Sequence, residues 1–382
     1  MKTVRSVRNP THRPWSRSIA NDPYRPESGA VELDRELARE LMGKDWVREA
    51  ESLVDEVLAP RAGEVDRTGV IPSSHFEALA RRGFYGFPLS EGMSPQLLID
   101  TAATVISGCL ATGFVWAQHL GALRSLLASD NEGLRGRYLA DMLSGGYRCG
   151  VSYAGARTEP TVFAEPVDGG YVLGGATPFV TGWGYIDAVA VAARADTGAS
   201  AAVATLLVPV REPENIAAER LPLIAADASA TVRLAFTDTF VASDRVLSVK
   251  PVDDGPAGGV ALSDWVNGGL ALGVLMRCVR HLKECGADAG PHLAHLEALR
   301  ERYGRVVGDL DATHAVRAEI AHAAVNAAAA GVVATGSRSV IARTTAERLV
   351  REATFALVAT TRDPIKAALS RAFEPSGQPV GH

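Results

Sequence analysis

The hydrophobic rhythm of the chain changes twice. From about residue 32 to 145, apolar positions recur at three- and four-residue spacings, the period of an amphipathic helix. In DWVREAESLVDEVLAP (45–60), Trp46, Val47, Leu53, Val54, Val57 and Leu58 fall on one stripe, and Pro60 is expected to follow the last turn. SSHFEALARRGFYG (73–86) repeats the pattern, with a serine placed to cap its start and Gly83 to stop it. LLIDTAATVISGCLATGFVWAQHLGALRSLLAS (97–129) reads as mostly helix, and its small residues suit close helix packing.

From about 146 to 255 the texture turns to strand. VDGGYVLGG, YIDAVAVAARA, AAVATLLVPV and SATVRLAFTDTFVASDRVL are β-branched and punctuated by Gly, Pro, Asp and Ser. The Asp-Gly-Gly before YVL is a turn signal. From about 256 to 382 the chain is helical again and rich in alanine. LALGVLMRCVRHL and IAHAAVNAAAAGVVATGSRSVIA are apolar on more than one face, as in a bundle or a subunit interface. The expected organisation is an irregular N-terminal arm (1–31), a helical domain (32–145), a β domain (146–255) and a helical bundle (256–382).

Composition narrows the function classes. The 382 residues are 47% hydrophobic and 22% charged, an ordinary globular balance, with a formal net charge of −5. Nothing in that global field recruits nucleic acid or an anionic membrane. The N-terminus has no apolar signal core, and no run reaches the roughly 18 apolar residues of a membrane span. A cytoplasmic protein is the expectation. Four cysteines, Cys109, Cys149, Cys278 and Cys285, are scattered without metal-ligand spacing, and buried thiols are expected. His292 and His295 have no carboxylate or thiolate cluster beside them, so no metal site is expected. Neither a glycine-rich phosphate loop nor a GxSxG elbow is present, which argues against kinase and hydrolase chemistry.

The β domain carries two unusual loops. VSYAGARTE (151–159) and YVLGGATPFVTG (171–182) place hydroxyls, glycines and one aromatic at strand ends. With the helical–β–helical order, they resemble the acyl-CoA dehydrogenase superfamily, whose first loop reads roughly V-T-E-P-G-A-G-S-D and whose second reads Y-x-L-N-G-x-K-x-W-I-T-N/G. Val151, Ser152, Gly155, Ala156, Thr158 and Glu159 match the first, and Tyr171, Leu173, Gly175, Phe179, Val180 and Thr181 match the second. AERLVREA (346–353) is similar to the family's E-R-L-x-R-D-A. The resemblance implies an α+β fold with an N-terminal helical domain, a central β-barrel domain and a C-terminal four-helix bundle. It also implies FAD, a homodimer or homotetramer, and α,β-desaturation of an acyl thioester on CoA or a carrier protein, with the electron acceptor unspecified.

In that resemblance Phe179 packs on the isoalloxazine and Thr181 bonds its N5 edge. Ser152 meets the pyrimidine end and Thr158 the pyrophosphate, with Val151 and Val180 in the same loops. A hydride acceptor needs a flat apolar wall and polar groups at its edge, and these residue types supply both. The plainer alternative makes Phe179 a core aromatic and Thr181 a turn hydroxyl.

Two departures stand out. The family's Q-x-x-G-G-x-G, which helps hold the adenine half of FAD, is replaced by ATGSRSVIARTTAERL, and R-x-x-F-G survives only around Arg300, Arg302, Tyr303 and Gly304. The glutamate of Y-E-G-T, which takes the α-proton in many relatives, falls on Ala359 or Thr360. Asp363 follows downstream, where a helix start also explains it. Asp264 stands near the earlier-helix position that some relatives use, and it reads either as the base or as a helix cap. A flavin monooxygenase or oxidase, and a non-catalytic binding or assembly homologue, are the alternatives.

Overall fold

The computed structural model describes residues 43–156, 159–196, 201–210, 215–252 and 257–374, preceded by two short paired strands, β1 (Ser6–Val7) and β2 (Leu33–Asp34). The rest of the N-terminal arm and Thr158 lie outside the described residues.

Helix α1 (Trp46–Leu53) starts at Asp45, whose carboxylate accepts from the Arg48 N–H at 3.2 Å. Pro60 does not end the run. A π turn over Val54–Leu58 widens the coil, and α2 (Ala59–Thr68) continues with Pro60 in its first turn, where a missing N–H is tolerated. Helix α3 (Ser73–Arg81) has Pro72, not a serine, in the capping position and no hydroxyl bond there. Helices α4 (Pro95–Gly108), α5 (Leu110–Leu127) and α6 (Glu132–Ser144) follow, α4 capped by Ser94 and α6 by Asn131.

The β region holds β3 (Cys149–Ser152), β4 (Val162–Val167), β5 (Gly170–Val180), β6 (Ala188–Asp196), β7 (Ala201–Pro209), β8 (Ile216–Arg220), β9 (Val232–Ala242) and β10 (Val246–Pro251). They form one mixed sheet in the order β10-β7-β6-β4-β5-β9-β8, with β3 pairing parallel to β6. Asp168–Gly169 closes the β4–β5 hairpin with Val167 opposite Gly170, and Gly169 has φ +80°. Strand β6 is buried on both faces, which is why AVAVAA reads as a continuous apolar run. Val189, Val191 and Ala193 join the β core, and Ala188 and Ala190 join the helical core.

The C-terminal helices are α7 (Ala257–Asn267), α8 (Gly269–Glu284), α9 (Gly290–Arg305), α10 (Leu310–Thr335), α11 (Thr345–Val358) and α12 (Asp363–Ala372). Helix α8 lies against α4 so closely that a Cβ on Gly273 would stand 2.7 Å from the Ala103 carbonyl oxygen, which joins the bundle to the N-terminal helices. Trp265 stacks on Tyr303, with centroids 5.8 Å apart, and donates to the Tyr303 carbonyl at 2.8 Å. Contrary to the sequence expectation, Leu310–Val340 is long and apolar enough, by length and composition alone, to cross a membrane. Its apolarity is alanine-based, and many of these alanines are buried within the bundle core.

Candidate functional site

The first group of residues gathers where β5 ends. Its register against β9 slips between Thr177 and Val180, because one extra residue is inserted there. That residue adopts the left-handed conformation: Phe179 has φ +59°. A non-glycine residue held there costs about 1–2 kcal/mol. The ring is 66% exposed, so Phe179 is not a core aromatic. Val180 returns to the β core, fully buried.

Thr181 is buried, and its hydroxyl lies 3.0 Å from that of Thr231, which in turn is 2.9 Å from Ser229 Oγ. The Gly182 and Trp183 N–H groups donate to the Ser229 and Ala230 carbonyls, so the turn after β5 is fastened to the loop before β9. Strand β3 approaches from the other side. A Cβ on Gly150 would lie 3.1 Å from the Thr181 carbonyl oxygen, so a larger residue there would have to push the β5 turn back by a few tenths of an ångström. Ser152 Oγ donates to Thr177 Oγ1 at 2.9 Å, and Val151 packs towards Gly121 of α5. Ser152, Phe179, Val180 and Thr181 thus share one end of the sheet: an exposed ring on a kinked strand beside two buried hydroxyl clusters. A flat, partly polar ligand fits such a surface, because covering the ring removes apolar area from water.

The second group lies in the bundle. Asp264 is 1% exposed and sits in the eighth position of α7, so it does not cap that helix. Arg362 Nε donates to its two oxygens at 2.9 and 3.1 Å, and His314 Nε2 donates to Oδ2 at 2.9 Å. His314 Nδ1 is buried without a partner. Arg317 on α10 binds the Asp264 main-chain oxygen through Nη1 at 2.9 Å. Its Nη2 reaches both the carbonyl and the hydroxyl of Thr360 at 3.1 Å. Thr360 has φ +59°. Burial pushes the Arg317 pKa down, with Asp264 and Tyr303 acting against that shift. Asp264, His314, Arg317, Thr360 and Arg362 therefore form one polar knot between α7, α10 and the α11–α12 turn. Among the described residues, none of the knot's hydrogen bonds involves the β region.

Asp363 points away from this knot, 95% exposed at its side chain and paired with Lys366 at 3.1 Å. Arg300 is paired with Asp100 at 3.0 Å and Arg302 with Glu319, so both arginines of the R-x-x-F-G remnant are engaged within the chain.

Sequence reasoning missed Thr177, Thr231, His314, Arg317 and Arg362. No spacing pattern singles out the threonines. His314 and Arg317 do share a helix face at three-residue spacing near the start of a polar-to-alanine transition, a weak signal for an inward polar pair.

No family model and no curated protein matches this chain. Solved structures do. Butyryl-CoA dehydrogenase from Megasphaera elsdenii superposes with a TM-score of 0.74 at 14% identity, over 90% of this chain and 99% of that one. The dibenzothiophene monooxygenase TdsC from Paenibacillus sp. A11-2 gives a TM-score of 0.73 at 15% identity, over 87% and 97%. The FAD complex of PigA gives 0.71 at 16% identity, over 90% and 99%. The chain has the acyl-CoA dehydrogenase fold, which is shared by dehydrogenases and flavin monooxygenases. At these identities the likeness is one of fold.

Proposed function

We propose that this protein is a flavin-dependent oxidoreductase that desaturates an acyl thioester, on CoA or a carrier protein, between its α and β carbons. The β5 turn, with Phe179, Val180 and Thr181, and the end of β3, with Val151 and Ser152, would hold the isoalloxazine; Thr158 would face the pyrophosphate of FAD. Bound there, the flavin would supply hydride acceptance. Phe179 contributes the apolar wall, and the Thr181 and Ser152 hydroxyls contribute edge contacts.

Asp264 is the proposed proton acceptor. The observation that carries this reading is that Arg317 grips Asp264 and Thr360 together. Asp264 and Thr360, the latter one of the two positions (359 or 360) on which the relatives' glutamate falls, thus meet at one guanidinium although they lie 96 residues apart. A carboxylate stands there although position 360 has none. Arg362, half-buried at the turn, pairs with that carboxylate and must release it before a proton can be taken. The purified protein should be yellow, and anaerobic addition of a saturated acyl thioester should bleach it. An intact flavin spectrum that no acyl thioester bleaches would refute desaturation.

One observation favours a second reading. Both Asp264 oxygens already carry charged or polar partners, which suits a monooxygenase that needs no carboxylate base, and the TdsC fold likeness is consistent with it. Rapid oxygen consumption by the reduced protein would support that reading. For assembly, Val333 near the end of α10 and Val340 and Ile341 just beyond it are 81%, 84% and 59% exposed, apolar side chains that support a homodimer or homotetramer built through the C-terminal domain.

A further inference from the structure

The turn that carries Thr181 is held by the loop between β8 and β9 (221–231). Ser229 and Thr231 of that loop continue the line of hydroxyls from Thr181, and the Ser229 and Ala230 carbonyls accept the Gly182 and Trp183 N–H groups. The loop is strained. A short 3₁₀ turn, Asp227–Ser229, is flanked by Ala226 and Ala230, both left-handed at φ +54° and +50°. Residues with a Cβ rarely adopt that region, and they keep it only where the surroundings leave no alternative. Within the loop, the Asp227 carboxylate accepts from the Leu223 N–H at 3.0 Å and from Arg220 at 3.1 Å.

The loop's anchor on the helices is Arg351, in the AERLVREA segment of α11. All five of its N–H groups are engaged. Nη1 and Nη2 donate to the two Asp66 oxygens on α2 at 3.0 and 2.6 Å. Nε and Nη2 donate to the Glu347 carboxylate, one turn earlier on α11. The second Nη1 hydrogen goes to the Ile224 carbonyl at 3.0 Å. Two carboxylates thus fix the plane of the guanidinium, and that plane fixes where the last N–H points. One side chain ties the bundle, the N-terminal helices and the loop together.

The hydroxyl line makes the loop's position matter chemically. A hydroxyl has one hydrogen to donate. With Ser229 donating to Thr231 and Thr231 to Thr181, the Thr181 hydrogen is left for a ligand. A loop displacement of about 1 Å would break the 3.0 and 2.9 Å contacts on which that order depends. We propose that Arg351 is a positioning residue for the flavin edge: by fixing the 221–231 loop, it sets the place and the hydrogen of the Thr181 hydroxyl. This rests on the flavin reading. Arg351 acts through the loop, whose Ile224 carbonyl it holds.

The test compares the purified flavin-loaded protein with Arg351→Lys, which keeps the positive charge beside Asp66 and Glu347 but removes the fork. Hydrogen exchange at the Gly182 and Trp183 amides should quicken about tenfold or more, while exchange within β6 stays unchanged. The reduced ring carries the charge that an edge hydroxyl stabilises, so a misplaced Thr181 should weaken the preference for reduced flavin. A tenfold loss lowers the two-electron midpoint potential by about 30 mV. Asp66→Asn, which loosens the fork from the α2 side, should move both readouts in the same directions, and it decides the matter if Arg351→Lys does not fold. The proposal is overturned if either readout keeps its wild-type value in a folded, flavin-loaded variant; faster exchange with an unmoved potential would mark a purely structural role. Flavin binding by wild type with unmoved variants sinks this inference alone. A wild-type protein that takes up no flavin sinks the flavin reading, and this inference with it.

Discussion

Phe179 separates fold stability from ligand binding more sharply than any other residue at the sheet end. Its ring is 66% exposed, so only about a third of a buried phenylalanine's 1.5–3 kcal/mol, roughly 0.5–1 kcal/mol, supports the free protein. Its φ of +59° counts against the fold. Phe179→Ala keeps that strain and should cost the flavin-free protein about 0.5–1 kcal/mol. Phe179→Gly relieves about 1–2 kcal/mol of strain and adds about 0.5–1 kcal/mol of chain entropy cost, so it should leave stability within about 1 kcal/mol of wild type.

Flavin affinity should behave differently. Removing an aromatic wall that covers a ligand face should weaken binding by about 1–3 kcal/mol, roughly 5- to 150-fold, in both variants. Urea unfolding of the flavin-free proteins gives the first quantity, and quenching of flavin fluorescence on titration gives the second. Unchanged flavin affinity in both variants would refute the stacking role. A stability loss above about 3 kcal/mol in Phe179→Ala would show that the ring supports the fold in solution.

Asp264→Asn should lower desaturation by several orders of magnitude while leaving the flavin spectrum intact; a retained rate would remove Asp264 as base. His119 gives a pH prediction. It is 1% exposed, accepts from the Cys149 N–H through Nδ1, and burial holds its pKa down at about 4. A histidine whose folded pKa lies below its ordinary 6.5 contributes stability above pH 6.5 that is lost as pH falls through about 4. That amounts to about 3 kcal/mol over the window, and His119→Gln should flatten the acid limb of a stability–pH series by that order. Light scattering should report a dimer or tetramer, and Val340→Asp should shift it towards monomer; a monomeric wild type at micromolar concentration would refute the C-terminal interface.

Periodicity made the elements legible, because helix and strand burial follow from local spacing. It failed where a local rule was overridden. The π turn carried the helix past Pro60, and Pro72 took the capping place expected of a serine. At the sheet end the sequence indicated Ser152, Phe179 and Thr181 through a resemblance. The hydroxyl partners Thr177 and Thr231 depend instead on how β3, β5 and the loop before β9 meet. The bundle knot was least legible. Asp264 meets Arg362 across 98 positions, and Arg317 meets Thr360 across 43. Such pairings exist only once α7, α10 and the α11–α12 turn have packed, and a single sequence carries no periodic trace of them.

On the proposed assignment of Asp264 as base, the knot also bears on how that position is balanced in charge. Position 360 is in the left-handed conformation and offers its hydroxyl to Arg317. A glutamate there would bring a carboxylate up to the same guanidinium and give it the countercharge that it now lacks. With threonine at 360, the nearest carboxylate is on α7, and Arg362 from the same turn pairs with it. Charge balance around Asp264 is therefore met by Arg362, and among the described residues no carboxylate pairs with Arg317. Placing a glutamate at 360 should supply one. Thr360→Glu is expected to pair with Arg317, to raise stability at neutral pH, and to leave the Asp264–Arg362 pair intact. A Thr360→Glu protein no more stable than wild type in urea unfolding at neutral pH would mean that the two groups do not pair.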